Sequence, residues 1–201
     1  MQSFSSLCKP LSPAFLHPNN MPVRIGLVVL ATDMVVEVEW REIFAGLPIE
    51  ILVARIACAA EVTPKALLTM AHEIGHCASL ILPDVELDAI AYGCTSGSLV
   101  IGEEKVQQLL QQGNSEQITS NPFSAIKAAL AFIKAKNIVV LSPYLASVNE
   151  PFYNALDSVG YKIMAWGSLD LTLDKDIGSM NPEHLPGLIE AVSYTHLTLP
   201  T

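Results

Sequence analysis

LDAIAYGCTSGSLVIG, residues Leu87 to Gly102, sets the reading of everything around it. Leu87 to Tyr92 is an apolar run of the length and composition of a buried strand, and it stops at Gly93. A turn of small residues follows, Cys94, Thr95, Ser96, Gly97 and Ser98, leading towards a helix predicted over Glu103 to Gln112. Cys94 is thereby expected at the carboxyl end of a strand and near the amino end of a helix. Ligands of open α/β sheets bind at that edge. The N–H groups and dipole of a helix terminus favour anions there, whether a thiolate or a substrate carboxylate. A free cysteine beside a strand is more commonly a small buried hydrophobe. The neighbouring hydroxyls, and the close backbone approach that Gly93 and Gly97 permit, weigh towards chemistry.

Outward from this stretch the chain alternates strand and helix. Upstream, Ile25 to Ala31 reads as a strand, Val35 to Phe44 as a helix and Ile49 to Ile56 as a strand. Thr63-Pro64 then supplies a cap and a first-turn proline for one long helix through LLTMAHEIGHCASLIL to Pro83. Downstream come a short strand at Gln117 to Ser120, a helix over Phe123 to Lys136 opened by Asn121-Pro122, and a strand at Asn137 to Tyr144. A helix over Ser147 to Val159, a strand at Tyr161 to Trp166 and a final helix after Asn181-Pro182 complete the series. Such alternation argues for an α/β protein with parallel sheets, divided near Gly113 to Ser120. The expected organisation is an extension over 1–20, a first α/β domain over 21–116, a second over 117–191 and a tail over 192–201.

Composition limits the classes of function. With 201 residues, 51% of them hydrophobic, the chain can bury a sizeable core. A net charge of −9 argues against a nucleic-acid partner. Asp33, Arg55 and Lys134 interrupt the richest apolar segments, so none reaches the ~20 residues of a membrane helix. Cys8, Cys58, Cys77 and Cys94 are irregularly spaced, as reduced thiols of a cytoplasmic protein would be; Cys58 and Cys77 read as core. The proline-containing segment before Asn20 has no signal-peptide core, and Met21, just before the first strand, is a candidate start. At the other end, VSYTHLTLPT (Val192 to Thr201) resembles a translated transposase sequencing adapter. On that reading His196 carries no meaning, and the natural protein continues past Ala191. The alternative is a natural strand.

HEIGH, His72 to His76, matches the two-histidine, one-glutamate pattern of zinc peptidases, with both imidazoles on one helix face and Glu73 placed to activate water. The extended pattern fails at Ser79 and Leu82, and Glu103 or Glu104 would have to supply a third ligand. The competing reading is a crossover helix whose Leu67, Leu68, Ile74, Leu80 and Ile81 pack on the sheet.

RIGLVVLATD, AEVTPKAL, LDAIAYGCTSGSLVIG and SPYLASVNEPFYNAL occur in this order between Arg24 and Glu190. Together they resemble the maleate isomerase and arylmalonate decarboxylase branch of the aspartate/glutamate racemase superfamily. The resemblance implies two similar Rossmann-like domains with a cofactor-free active site between them, one cysteine coming from each. Cys94 matches the first-domain cysteine, which in maleate isomerases adds to the substrate double bond. Arylmalonate decarboxylases have glycine there. Thr95, Ser96 and Tyr144 match positions that hold a substrate carboxylate, and no metal or nucleotide is implied. The partner cysteine is expected beyond Ala191, which makes the second domain incomplete and this copy inactive in two-cysteine chemistry.

Two positions depart from the maleate isomerase pattern. Asp33 and, in a looser alignment, Asp174 stand where that family has asparagine. A carboxylate repels a second substrate carboxylate, so a small carboxylate-bearing substrate with a cationic or amide end fits better than a plain dicarboxylate. The ATD form around Asp33 is also similar to relatives of ectoine utilisation, implying an amino-acid derivative. The alternative role for Asp33 is to cap the helix that follows it. Homo-oligomerisation stays open, as do a zinc hydrolase using HEIGH and a non-catalytic ligand-binding module of the same fold.

Overall fold

A computed structural model describes residues 21–112 and 116–194. The expected extension over 1–20, with Cys8, and His196 in the tail lie outside the described residues.

Strand β1 (Val23–Leu30) is followed by α1 (Val36–Ile43) and β2 (Ile49–Ile56), and the two strands pair in parallel from Val23 with Ile49 to Leu30 with Ile56. Two helices, α2 (Pro64–Thr69) and α3 (Ala71–Ser79), lead to β3 (Ala89–Tyr92), which pairs with the other edge of β1. Next come α4 (Thr95–Ile101), α5 (Glu103–Leu110) and the short β4 (Thr119–Ser120), which pairs with β3. The sheet order is β2-β1-β3-β4, all parallel. Because β1 runs into β2 on one side while β3 lies on the other, the loops after β1 and β3 open a crevice at the strands' carboxyl ends.

The alternation of side chains along β1 divides the core. Leu27 and Val29 pack with Ala91 towards Val36 and Trp40 of α1. Val28 and Leu30 face the opposite layer, where Leu67, Met70, Ile74, Val106 and Tyr92 form the larger cluster. Gly26 admits Leu87 and Ile90 side chains to within 2.9 and 3.1 Å of where its Cβ would stand.

The second half repeats the motif. Helix α6 (Pro122–Phe132) begins with a capping box in which Asn121 and Ser124 satisfy each other's backbone N–H groups. Strand β5 (Asn137–Ser142), α7 (Ala146–Ser158) and β6 (Lys162–Ser168) form a two-stranded parallel sheet. Helix α8 (Asp174–Gly178), a 3₁₀ turn (Pro182–His184) and α9 (Leu185–Tyr194) follow. Phe123, Phe152 and Trp166 stack edge to face in its core.

Three expectations change. The single helix to Pro83 is two helices broken at Met70; Thr69 Oγ donates to the Ala66 carbonyl, a local bond that competes with continuation. Leu68 and Leu80 are exposed, whereas Leu67, Ile74 and Ile81 are buried as expected. The chain enters α4 directly after Cys94, well before the helix predicted at Glu103. Val192 to Tyr194 continue α9, which does not fit the alternative reading of a strand there, and residues 195–201 of the tail lie outside the described residues. Of the expected domain boundary, β4 lies beyond residue 116 and still belongs to the first sheet.

Candidate active site

Cys94 leaves β3 in an extended conformation and becomes the residue before α4. Its Sγ accepts the Gly97 N–H at 3.2 Å, and Ser96 Oγ lies 3.6 Å away. The Ser98 hydroxyl donates to the Cys94 carbonyl at 2.6 Å. These bonds hold a turn whose residues, Thr, Ser, Gly and Ser, have little helical preference of their own. The thiol is buried, 6% exposed. Burial pushes its pKa up, opposed by hydrogen bonds from Gly97, Ser96 and Tyr92, and the Asp174 charge pushes it further. Desolvation thus outweighs the donors, against the expectation that the helix terminus favours a thiolate here.

Tyr144 comes from the second half, on the loop between β5 and α7. A buried network shapes that loop. Ser142 Oγ donates to Asn149 Oδ1 at 2.6 Å, and Asn149 Nδ2 donates to the Tyr144 carbonyl at 2.6 Å and to Ser168 Oγ at 3.1 Å. Burial pushes the pKa of the Tyr144 phenol up to about 12, against the opposing influence of the Ser96 and Thr95 hydroxyls. Thr95, Ser96 and Tyr144 therefore gather around Cys94.

The two acidic positions diverge. Asp33 Oδ1 accepts the N–H groups of Val35 and Val36 at 3.0 and 2.9 Å, capping α1. Arg55 grips the same loop, donating to the Leu30 and Asp33 carbonyls and pairing with Glu37. Asp174 is carried to the first half by the segment after β6: Val62 N–H donates to the Thr172 carbonyl at 2.8 Å and Asp174 N–H to the Ala60 carbonyl at 3.0 Å. Its carboxylate accepts from the Thr32 hydroxyl, which also contacts Cys58 Sγ at 3.2 Å. Thr32, Asp33 and Asp174 line one hollow with Met34, Val35 and Ile177.

No family model matches the chain. Over 136 residues, 64% of this chain and 54% of the relative, it is 24% identical to the maleate isomerase of Pseudomonas putida. Over 172 residues, 81% of this chain and 68% of the relative, it is 24% identical to the maleate isomerase of Nocardia farcinica. It thus spans about half the length of the Pseudomonas enzyme. A cysteine-to-serine mutant of the Nocardia maleate cis-trans isomerase, with a covalently bound succinylcysteine intermediate, superposes with a TM-score of 0.75 at 22% identity, covering 86% of this chain and 74% of that one. In sequence and fold the chain is thus similar to the maleate isomerase and arylmalonate decarboxylase branch. A liganded double mutant of arylmalonate decarboxylase shares the fold with a TM-score of 0.71 at 17% identity, over 86% of this chain and 74% of that one.

The HEIGH residues do not join the residues around Cys94. His72, Glu73 and His76 are exposed on α3, while Ile74, Gly75, Cys77 and Ala78 form its buried face. Glu103, considered as a third ligand, pairs instead with Lys127. Among the described residues, no group of three or more His, Cys, Asp or Glu side chains is placed to hold a metal ion. No described helix is long and apolar enough to cross a membrane.

Sequence reasoning missed Thr32, Tyr92 and the Ser142–Asn149–Ser168 network. Thr32 and Asn149 lie inside stretches that carry the family resemblance, ATD and SPYLASVN, and hydroxyl and amide residues at strand ends were the available signal.

Proposed function

We propose that this chain carries the Cys94 half of a cofactor-independent isomerase or racemase-type active site that works on a carbon next to a substrate carboxylate. The observation that supports it most is Ser96 Oγ 3.6 Å from Cys94 Sγ, with Tyr144 of the second half packed against the same core cluster. The Cys94 thiolate would add to a carbon–carbon double bond conjugated with the carboxylate. A carbon–sulfur bond forms, and the π electron pair moves towards the carboxylate, where hydroxyl donors stabilise the growing charge. The former double bond rotates as a single bond. Reversal expels the thiolate and restores the double bond in the other geometry, so no oxidant, reductant or cofactor is consumed.

Asp174, and Asp33 across the same hollow, disfavour a second anionic end and suit a cationic or amide one, as in an amino-acid derivative. Asp174 is the stronger determinant, because one oxygen of Asp33 already caps α1. The second half of the sequence contains no cysteine. The partner thiol of two-cysteine chemistry would arrive on a strand laid along β5. That strand pairs with β6 alone among the described strands, whereas its counterpart β1 is paired on both edges. A cavity of about 510 Å³, lined by Ile126, Leu130, Ile138, Val140, Phe152 and Leu156, borders β5. With no second thiol to deliver and take back a proton at the carbon next to the carboxylate, the adduct is protonated by solvent and stays on Cys94, so the chain alone binds and adds but does not turn over.

Incubation with maleate and with its half-amide, followed by peptide mapping, tests this reading. The expected result is a covalent adduct on Cys94, more with the half-amide, none in Cys94→Ala and no release of trans product. The absence of any adduct at Cys94 would overturn the catalytic reading. Ligand binding without an adduct would favour a non-catalytic module, a reading supported by the buried, neutral thiol.

A further inference from the structure

Two residues before Cys94, and on the same face of β3, stands Tyr92. Its side chain is fully buried, at 0% exposure. The phenol donates to Met70 Sδ at 3.9 Å, a long contact with a weak acceptor. Gly97 closes the other side: a Cβ there would stand 2.6 Å from Tyr92 Oη, 3.0 Å from Cys94 Sγ and 3.1 Å from Met70 Cε. Phenol, thiol and thioether therefore crowd around one point of backbone.

We propose that Tyr92 is a positioning residue for the Cys94 thiolate, its hydroxyl resting on the Met70 thioether while the thiol is neutral and turning to donate to Sγ when the sulfur takes up charge. This rests on the reading of Cys94 as the nucleophile. A buried thiolate needs donors in place of lost water. Gly97 N–H and Ser96 Oγ supply two. A hydroxyl hydrogen rotates freely, and a charged sulfur is a much stronger acceptor than a thioether. Burial and the nearby cysteine charge hold the Tyr92 proton in place, so Tyr92 acts as a donor and never as the base. The other titratable groups bearing on this pair are Asp174 and Tyr144, which face Cys94 from the second half, and Cys58, which faces Tyr92. Asp174 opposes the thiolate, which makes a donor beneath the sulfur more consequential.

The test is the pH profile of iodoacetamide alkylation at Cys94, read by peptide mapping in the full chain and in Tyr92→Phe. Access to a buried thiol sets the plateau at high pH, while ionisation sets the midpoint, so the two are separable. Loss of the hydroxyl is expected to raise the midpoint by about one pH unit, an approximately tenfold fall in thiolate fraction at neutral pH. Met70→Leu removes the competing acceptor and is expected to move the midpoint to lower pH; it carries the test if Tyr92→Phe fails to fold. A wild-type midpoint at Cys94 that neither substitution moves overturns the role of Tyr92 alone. If Cys94 in the wild-type chain shows no alkylation at any pH, the nucleophile reading falls, and the inference falls with it.

Discussion

Asp174, from the second half of the chain, accepts a hydrogen bond from the hydroxyl of Thr32 in the first. Through it a carboxylate stands over the crevice that holds Cys94 and adds to the rise in pKa that burial gives both Cys94 and Tyr144. Asp174→Asn keeps an acceptor for Thr32 but removes the charge. The midpoint of Cys94 alkylation is expected to move to lower pH, because a like charge no longer opposes the thiolate. An unchanged midpoint would show that Asp174 does not act on the thiol.

Asp33 should behave differently. Its carboxylate is spent on α1, so Asp33→Ala is expected to cost about 1 kcal/mol of stability, and Asp33→Asn much less. Neither should move the Cys94 midpoint. Urea unfolding and the alkylation profile together check this, and a midpoint shift in Asp33→Asn would show that the Asp33 charge acts on the thiol.

Gly97 has no room for a side chain. Gly97→Ala would press a methyl group against Tyr92 Oη and Cys94 Sγ, both in the packed core. A loss of roughly 1–3 kcal/mol in urea unfolding is expected. A variant as stable as the parent would mean that the β3–α4 turn is looser than described.

Stability should fall in alkali. Burial raises the thiol pKa of Cys94 and Cys77 in the folded chain above the ordinary value. Above about pH 8.5 the unfolded chain releases these protons while the folded one retains them, so it binds fewer protons and gains on the folded state as pH rises. The contribution is fully present below that pH and is lost upwards; Tyr144, pushed up to about 12, joins above about pH 10. Cys94→Ser should flatten the slope of unfolding free energy between about pH 8 and 10. Equal slopes would contradict the burial argument.

The HEIGH helix offers a control. His72→Ala and His76→Ala remove exposed side chains, so each should change stability by less than about 0.5 kcal/mol. Stoichiometric zinc lost in His76→Ala would revive the metal reading.

Much of the fold was legible because its strands are short apolar runs between glycines, prolines and polar turns: Ile49 to Ile56 matches β2 residue for residue. The Cys94 crevice was legible too, since β1 and β3 end in ATD and GCTS. Helix α4 was not, because TSGSLVI is poor in helix formers and is held by bonds to Cys94. Nor could the acidity of Cys94 be read, since burial depends on Met70, Tyr92 and Tyr144 arriving from three separate segments. Asp174 reaches the crevice through backbone pairing with residues 60–62, a long-range contact with no periodic signature.

The central claim is that Cys94 is a thiol set in a carboxylate cradle. Iodoacetate and iodoacetamide have the same leaving group and differ in charge, so the ratio of their alkylation rates at each cysteine, read in one digest, reports whether a carboxylate is drawn in. The account predicts a ratio at Cys94 several-fold above that at Cys58, reduced by Tyr144→Phe. The same ratio at both cysteines would contradict it.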